Sequence, residues 1–318
     1  MALGNDSFMT QFILVGLTDQ SVLQLPLFLL FLVMYMVTVM ANLSLIILIG
    51  LSSHLHTPMY FFLFNLSFID LCYSSVFTPK MLINIISEKK IISYMGCMTQ
   101  LYFLCFYGIS ESYVLTSMAY DRYVALCNPL LYNIAMSPKV CFNLMFGPYL
   151  MAFFKAMTLI GCMLRLTFCD ENTINHYLCD IYPLLQLSCT GTYILELEVV
   201  IMSGINITVP SLTIFISHGL ILANILHIKS TEGRSKAFSI SNSHIIAVSL
   251  FFGSSAFVYL KPSSVSVDEG KISSVFYTIV IPMMNLLMYS LRNKNVKLAL
   301  RKTQCGRVLI RDIICLCI

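Results

Sequence analysis

The sequence predicts an all-α membrane protein: a seven-transmembrane helix bundle with the amino terminus outside, the carboxyl terminus cytosolic and a short amphipathic helix after the seventh span. Three observations carry this expectation. Of 318 residues, 58% are hydrophobic and 11% charged, whereas soluble domains carry roughly a quarter charged residues. Seven apolar runs near the roughly 20 residues needed to cross a bilayer are separated by polar, Pro-containing or charged stretches. Lys and Arg divide unevenly between alternate connections, twelve on one side and six on the other, which sets the orientation.

Taken in order, residues 1–24 form an extracellular amino terminus. Its apolar stretch, residues 12–17, is too short to span and lacks the basic flank and cleavage site of a signal peptide, so the first helix serves as its own insertion signal. Asn5, Asp6 and Ser7 form an N-x-S glycosylation acceptor that is usable if this end is lumenal. Asn42, Asn65 and Asn206 open the same triplet inside spans, which shows how often chance supplies it. The spanning domain, residues 25–291, holds helices over 25–50, 58–86, 98–123, 140–164, 199–228, 237–259 and 272–289, and residues 292–318 form a cytoplasmic helix and tail.

With this topology the inner segments hold Arg122, Lys139, Lys229, Arg234, Lys236 and the basic tail, and the outer ones Lys80, Lys89, Lys90, Arg165, Lys261 and Lys271. The Glu88, Lys89, Lys90 loop runs against the bias without reversing it. The net charge of +4 is thus topological, and the expected surroundings are membrane lipid, with no nucleic-acid binding.

Cys97 at the outer start of the third helix and Cys169, Cys179 and Cys189 in the long loop before the fifth lie where an oxidising lumen reaches them. Four cysteines allow three pairings. A loop from Arg165 to Glu198 without regular structure needs covalent restraint, and Asp170, Glu171 and Asp180 keep it polar. Cys72, Cys105, Cys127, Cys141 and Cys162 read as small apolar helix residues. Cys305, Cys315 and Cys317 sit in the basic tail, open to palmitoylation.

Ionisable residues at membrane depth mark function by default. Asp70 lies 12 residues beyond Pro58, at the cytosolic start of the second helix, and Glu111 lies 11 residues before Arg122, at the cytosolic end of the third. At 1.5 Å per residue both stand about 17 Å from the inner surface. Two carboxylates at one level can share a monovalent cation such as Na⁺, or a proton. Asn42 and Asn285 reach a similar depth, so a purely structural hydrogen-bond knot is the alternative. Asp121, Arg122 and Tyr123 end the third helix beside the cytosol, where Arg122 either snorkels or exchanges its acidic neighbour for a partner's backbone. Lys155, within the fourth span, either snorkels outward or meets an acidic group.

The run Leu55 to Phe62 with Asn65 to Cys72, the run Met118 to Ala125 with Cys127 to Leu130, Lys236 to Ser239 with Ser243 and His244, and Pro282 to Asn285 with Tyr289 to Asn293 together resemble the odorant-receptor family of rhodopsin-like G-protein-coupled receptors, in its tetrapod-type class. The resemblance covers about residues 8–302. It implies a receptor for a small volatile odorant, coupled to a heterotrimeric G protein of the olfactory stimulatory type and signalling through cyclic AMP. Arg122 and Tyr289 would act as switch residues, with Asp121 and Tyr123 beside them, and Cys97 would pair with Cys179 and Cys169 with Cys189.

The odorant pocket implied by the resemblance lies in the outer half of the third, fifth, sixth and seventh helices. In this chain those positions are Leu104, Cys105, Gly108, Ile109, Ser112, Met202, Ser203, Asn206, Phe252, Ser255, Ala256, Tyr259, Phe276 and Ile279, a mostly apolar lining suited to a small neutral ligand. The chain departs from the family pattern at Leu286, where Pro usually follows the Asn, at His218, usually Tyr, at Ile240 and Ser241, usually Thr-Cys, at Ala41, usually Gly, and at Phe252, usually Tyr. Three of these touch the usual switch.

Other classes fit less well. A transporter or channel calls for inverted repeats, interrupted helices in both halves or rings of charge, which the sequence lacks. An enzyme calls for a nucleophile with a base or a metal cluster, and the six His form no ligand pairs at helical spacing. An opsin needs a Lys in the seventh helix for the retinal Schiff base. No resident cofactor is expected beyond a possible Na⁺ between Asp70 and Glu111.

Overall fold

The computed structural model describes residues 10–18, 20–168, 172–226, 231–260 and 267–290, with backbone alone for 231–243, 267–268 and 286–290. Among the described residues the long rods are α1 (Ser21–Leu51), α2 (Pro58–Ile86), α3 (Tyr94–Cys127), α5 (Pro138–Met163), α7 (Tyr193–Leu226) and α8 (Thr231–Tyr259). A seventh rod is assembled from α9 (Val267–Val275), a π-helical turn (Phe276–Val280) and α10 (Ile281–Ser290). Short helices α4 (Tyr132–Ala135) and α6 (Ile181–Gln186) sit in the connections on opposite sides. The tail beyond Ser290, where the amphipathic helix is expected, lies outside the described residues.

Local chemistry sets the helix starts. Pro58 and Pro138 take the first helical position, where a missing N–H costs nothing. Ser93 caps α3 by accepting from the Gly96 amide at 3.1 Å. A Cβ on Gly96 would stand 2.9 Å from the Ser93 Oγ, so this cap requires glycine. Pro26, Pro79, Pro148 and Pro210 lie inside spans, tolerated where neighbouring helices and side-chain hydroxyls satisfy the freed carbonyls.

α1, α2, α5 and α7 are long and apolar enough to cross a membrane on their own composition. α3 is equally long but runs through the middle of the bundle, packed against α2, α5, α7 and α8. It therefore presents polar residues inward rather than apolar ones to lipid. Large apolar side chains such as Leu29, Val33, Phe146, Leu212 and Phe215 face outward, while Asn42, Asp70, Glu111, Asn285 and His244 are buried inside.

One structured feature extends beyond the all-helical expectation. Residues 11–14 form β1 (Gln11–Leu14), the central strand of a three-stranded sheet with β2 (Ile91–Ser93) antiparallel and β3 (Thr173–Ile174) parallel. Phe12 and Leu14 are fully buried and Gln11 and Ile13 exposed, the period-two alternation of a half-buried strand. The Phe12 ring packs edge-on against Phe168, and Lys80 donates to the Ile91 carbonyl at 2.7 Å. The outer loops are therefore tied to one another. The connection expected to lack regular structure contains β3 and α6, and α7 begins at Tyr193, six residues earlier than expected.

Candidate functional site

The outer half of the bundle encloses a cavity of about 300 Å³, at the small end of the range for ligand sites. Leu104, Cys105, Gly108, Ile109 and Ser112 line it from α3, Met202, Ser203 and Asn206 from α7, and Phe252, Ser255 and Tyr259 from α8. Three expected positions lie elsewhere. Ala256 stands beside the α8 stripe of Phe252, Ser255 and Tyr259 and does not reach the cavity. Phe276 is 41% exposed and Ile279 is packed in the core at 3%. The π-helical turn widens the seventh rod at this level and brings Tyr277 inward instead.

Further wall residues were not among the pocket positions implied by the resemblance. Tyr73 of α2, Phe154, Lys155, Thr158 and Leu159 of α5, Ile181 of α6 and Glu198 of α7 all reach the cavity. Lys155 neither snorkels nor meets an acid: its ammonium donates to Asn206 Oδ1 at 2.7 Å. The Asn206 Nδ2 in turn donates to the Met202 carbonyl at 2.8 Å, fixing the amide's orientation.

The cavity is roofed by the connection after α5. Cys97 and Cys179 form a disulfide, and the Cys179 amide donates to Gln100 Oε1. Cys189 is disulfide-bonded, while Cys169, the residue implied as its partner, lies outside the described residues, as do Asn5, Asp170 and Glu171. Asp180 does not serve to keep the loop polar. It is 2% exposed and accepts from Tyr259 Oη at 2.9 Å, Tyr277 Oη at 2.7 Å and the Ile181 amide at 2.7 Å. Beside it, His176 Nδ1 accepts from the Leu178 amide and Nε2 meets Ser274 Oγ, each at 3.2 Å. Burial holds the His176 imidazole below its ordinary pKa, with Asp180 opposing and Lys271 reinforcing the shift. Burial, with the charges of Asp180 and Glu196, pushes the Tyr182 phenol up to about 12. Asp180 is thus held beneath the roof by three donors.

At mid-bundle, Asn285 Nδ2 donates to Glu111 Oε1 at 2.8 Å and Asp70 Oδ1 at 3.3 Å. Both carboxylates are 1% exposed, so the equal depth inferred from residue counts places them around one amide. Asn42 Nδ2 donates within α1 to the Thr38 carbonyl. Asn285 Oδ1, Asn42 Oδ1 and Ser74 Oγ are buried with no hydrogen-bond partner among the described residues. Asp70 and Glu111 supply carboxylate oxygens, the ligand type that a hard cation takes.

At the cytosolic end, Asp121 accepts from Tyr132 Oη of α4 at 2.8 Å, and burial together with Asp121 raises the Tyr132 phenol. Tyr123 packs with Cys127 against Ile221 and Ile225 of α7, and Arg122 is half-buried. The Tyr289 side chain lies outside the described residues. His218 and His244, 26 residues apart, meet across α7 and α8 at 2.8 Å. Spacing along one helix could not reveal that pair; the His at position 218, where the resembled family carries Tyr, was the available clue.

The chain matches the olfactory receptor family model over residues 31–307. It is 68% identical over 303 residues to olfactory receptor 8B3 of Mus musculus, covering 95% of this chain and 96% of that one. It is 68% identical over 298 residues to olfactory receptor 8B3 of Homo sapiens, covering 94% and 95%. With olfactory receptor 8B8 of Homo sapiens the identity is 64% over 303 residues, covering 95% and 97%.

Proposed function

The chain belongs to the olfactory receptor family, and from that membership we propose that it binds a small, volatile, mostly apolar odorant in the outer cavity and activates a stimulatory olfactory-type G protein to raise cyclic AMP. It is a multi-pass receptor of the plasma membrane and not an enzyme. The observation that carries the ligand reading is the cavity itself, about 300 Å³, walled by apolar side chains and closed by a loop that a disulfide and the Asp180 network hold in place. Such a volume suits a small molecule, and an apolar lining with few polar groups suits one of low polarity. The cytosolic end, where Asp121, Arg122 and Tyr123 meet α4 and α7, supports the coupling role.

The second element of the reading is a Na⁺ held by Asp70 and Glu111 with Asn285, favouring the resting arrangement. Its support is the pair of buried carboxylates that meet at one amide, whose own Oδ1 is left unpartnered. When bound, the ion would offset two negative charges that otherwise repel in a medium of low dielectric constant.

The test is cyclic AMP accumulation in cells expressing the chain, normalised to surface receptor and measured across an odorant panel. A dose-dependent response to at least one small volatile is the expected result. Silence across the panel from well-expressed receptor supplied with the olfactory-type G protein would overturn the coupling assignment.

A further inference from the structure

We propose that Lys155 selects odorants bearing a carbonyl or carboxylate oxygen, which its ammonium receives in the cavity beside Asn206; this rests on reading the cavity as the odorant site. The hydroxyls of Tyr259 and Tyr277, both in the cavity wall, are committed to Asp180. Those of Ser112 and Thr158 donate to carbonyls of their own helices, one N–H of the Asn206 amide goes to Met202, and Tyr73, Ser203 and Ser255 add neutral hydroxyls to the lining.

The Lys155 ammonium carries three donors and uses one, on Asn206 Oδ1; that oxygen is its single acceptor among the described residues. The strongest donor facing the ligand space is therefore a half-buried cation with N–H groups to spare. An ammonium at this depth is costly unless paired, and an oxygen acceptor on the ligand supplies what the protein does not. Asn206 aims the nitrogen. Because its amide is locked by Met202, its Oδ1 holds one N–H and directs the others into the cavity.

Glu198 also reaches the cavity, but it lies eight residues before Asn206 on α7, about 12 Å along the helix axis. An acidic or carbonyl end at Lys155 leaves the apolar body of the ligand to the aliphatic side chains of α3 and the rings of α8. A cationic ligand would instead have to seat its amine at Glu198, which makes amines the discriminating control.

The experiment uses the full chain in lipid nanodiscs and measures ligand-induced thermal stabilisation with one unbranched carbon chain carried as alkane, primary amine, primary alcohol, aldehyde and carboxylic acid. The aldehyde and acid are expected to act at concentrations at least about tenfold below the alkane and amine, the size of one charge-assisted hydrogen bond. Lys155→Met is expected to erase that difference and Lys155→Arg to keep the larger part of it. A parent that ranks the alkane or amine level with or above the carbonyl compounds overturns the proposal, even if neither variant reaches the membrane. A Lys155→Met protein that retains the parent ranking overturns it as well. Since binding is read without a G protein, selective binding without cyclic AMP counts against the coupling assignment alone. A cyclic AMP response with no carbonyl preference counts against Lys155 alone.

Discussion

Asp70 and Glu111 show how much a single residue's depth decides. Their separate positions in the sequence become one site because α2 and α3 bring them to the same level, where Asn285 touches both. If the pair holds Na⁺, Glu111→Gln should flatten the dependence of basal cyclic AMP on external sodium, and Asp70→Asn added to it should be non-additive by about 0.5–3 kcal/mol, as for residues sharing one ligand. Superimposable sodium curves for parent and Glu111→Gln would leave the pair as a structural knot. Arg122 is the second residue at this scale. Half-buried where α3 meets the cytosol, it is expected to be needed for coupling and not for folding. Arg122→Ala should abolish the cyclic AMP response while surface labelling persists, and an undiminished response would remove it from the switch.

At the scale of elements, the connection after α5 acts as a roof, pinned by the Cys97–Cys179 disulfide, by the sheet that β1 completes and by Asp180 and His176. Cys97→Ser and Cys179→Ser should each prevent surface delivery, because losing such a crosslink costs about 2–5 kcal/mol in small secreted domains; normal surface levels of either would show the sheet and the polar network suffice. The His176 imidazole gives the roof a pH dependence. Its Nδ1 already accepts from the Leu178 amide, so a proton there would set two N–H groups against each other. A histidine held below its ordinary 6.5 in the folded state resists a proton that the unfolded chain accepts. Its contribution is full above about pH 6.5 and is lost as pH falls through the folded-state value. The melting temperature of the parent should therefore drop on acidification through that window more steeply than that of His176→Asn, and parallel curves would clear His176 of the effect.

For the whole molecule, composition and periodicity were enough to establish a bundle of seven spans, because the bilayer imposes one length and one polarity on every crossing. The second helix was legible to the residue, as Pro58 marks its start and Ser87 and Glu88 follow its end. The sides facing the cavity on α3, α7 and α8 were largely legible too, through the family resemblance, which implies one stripe on each rod. What the sequence by itself determined is thus the architecture, the orientation and the two carboxylates at mid-membrane, Asp70 and Glu111. The tertiary structure alone decided who meets whom: Lys155 with Asn206, His218 with His244, Asp180 with two tyrosines, and Tyr277 in place of Phe276 at the cavity wall. The physical reason is that the periodicity of one helix specifies a direction for each side chain but not the neighbour in that direction. Partners come from rods far apart in the chain, and their rotation and local winding, as at the π-helical turn, depend on packing that no single segment encodes.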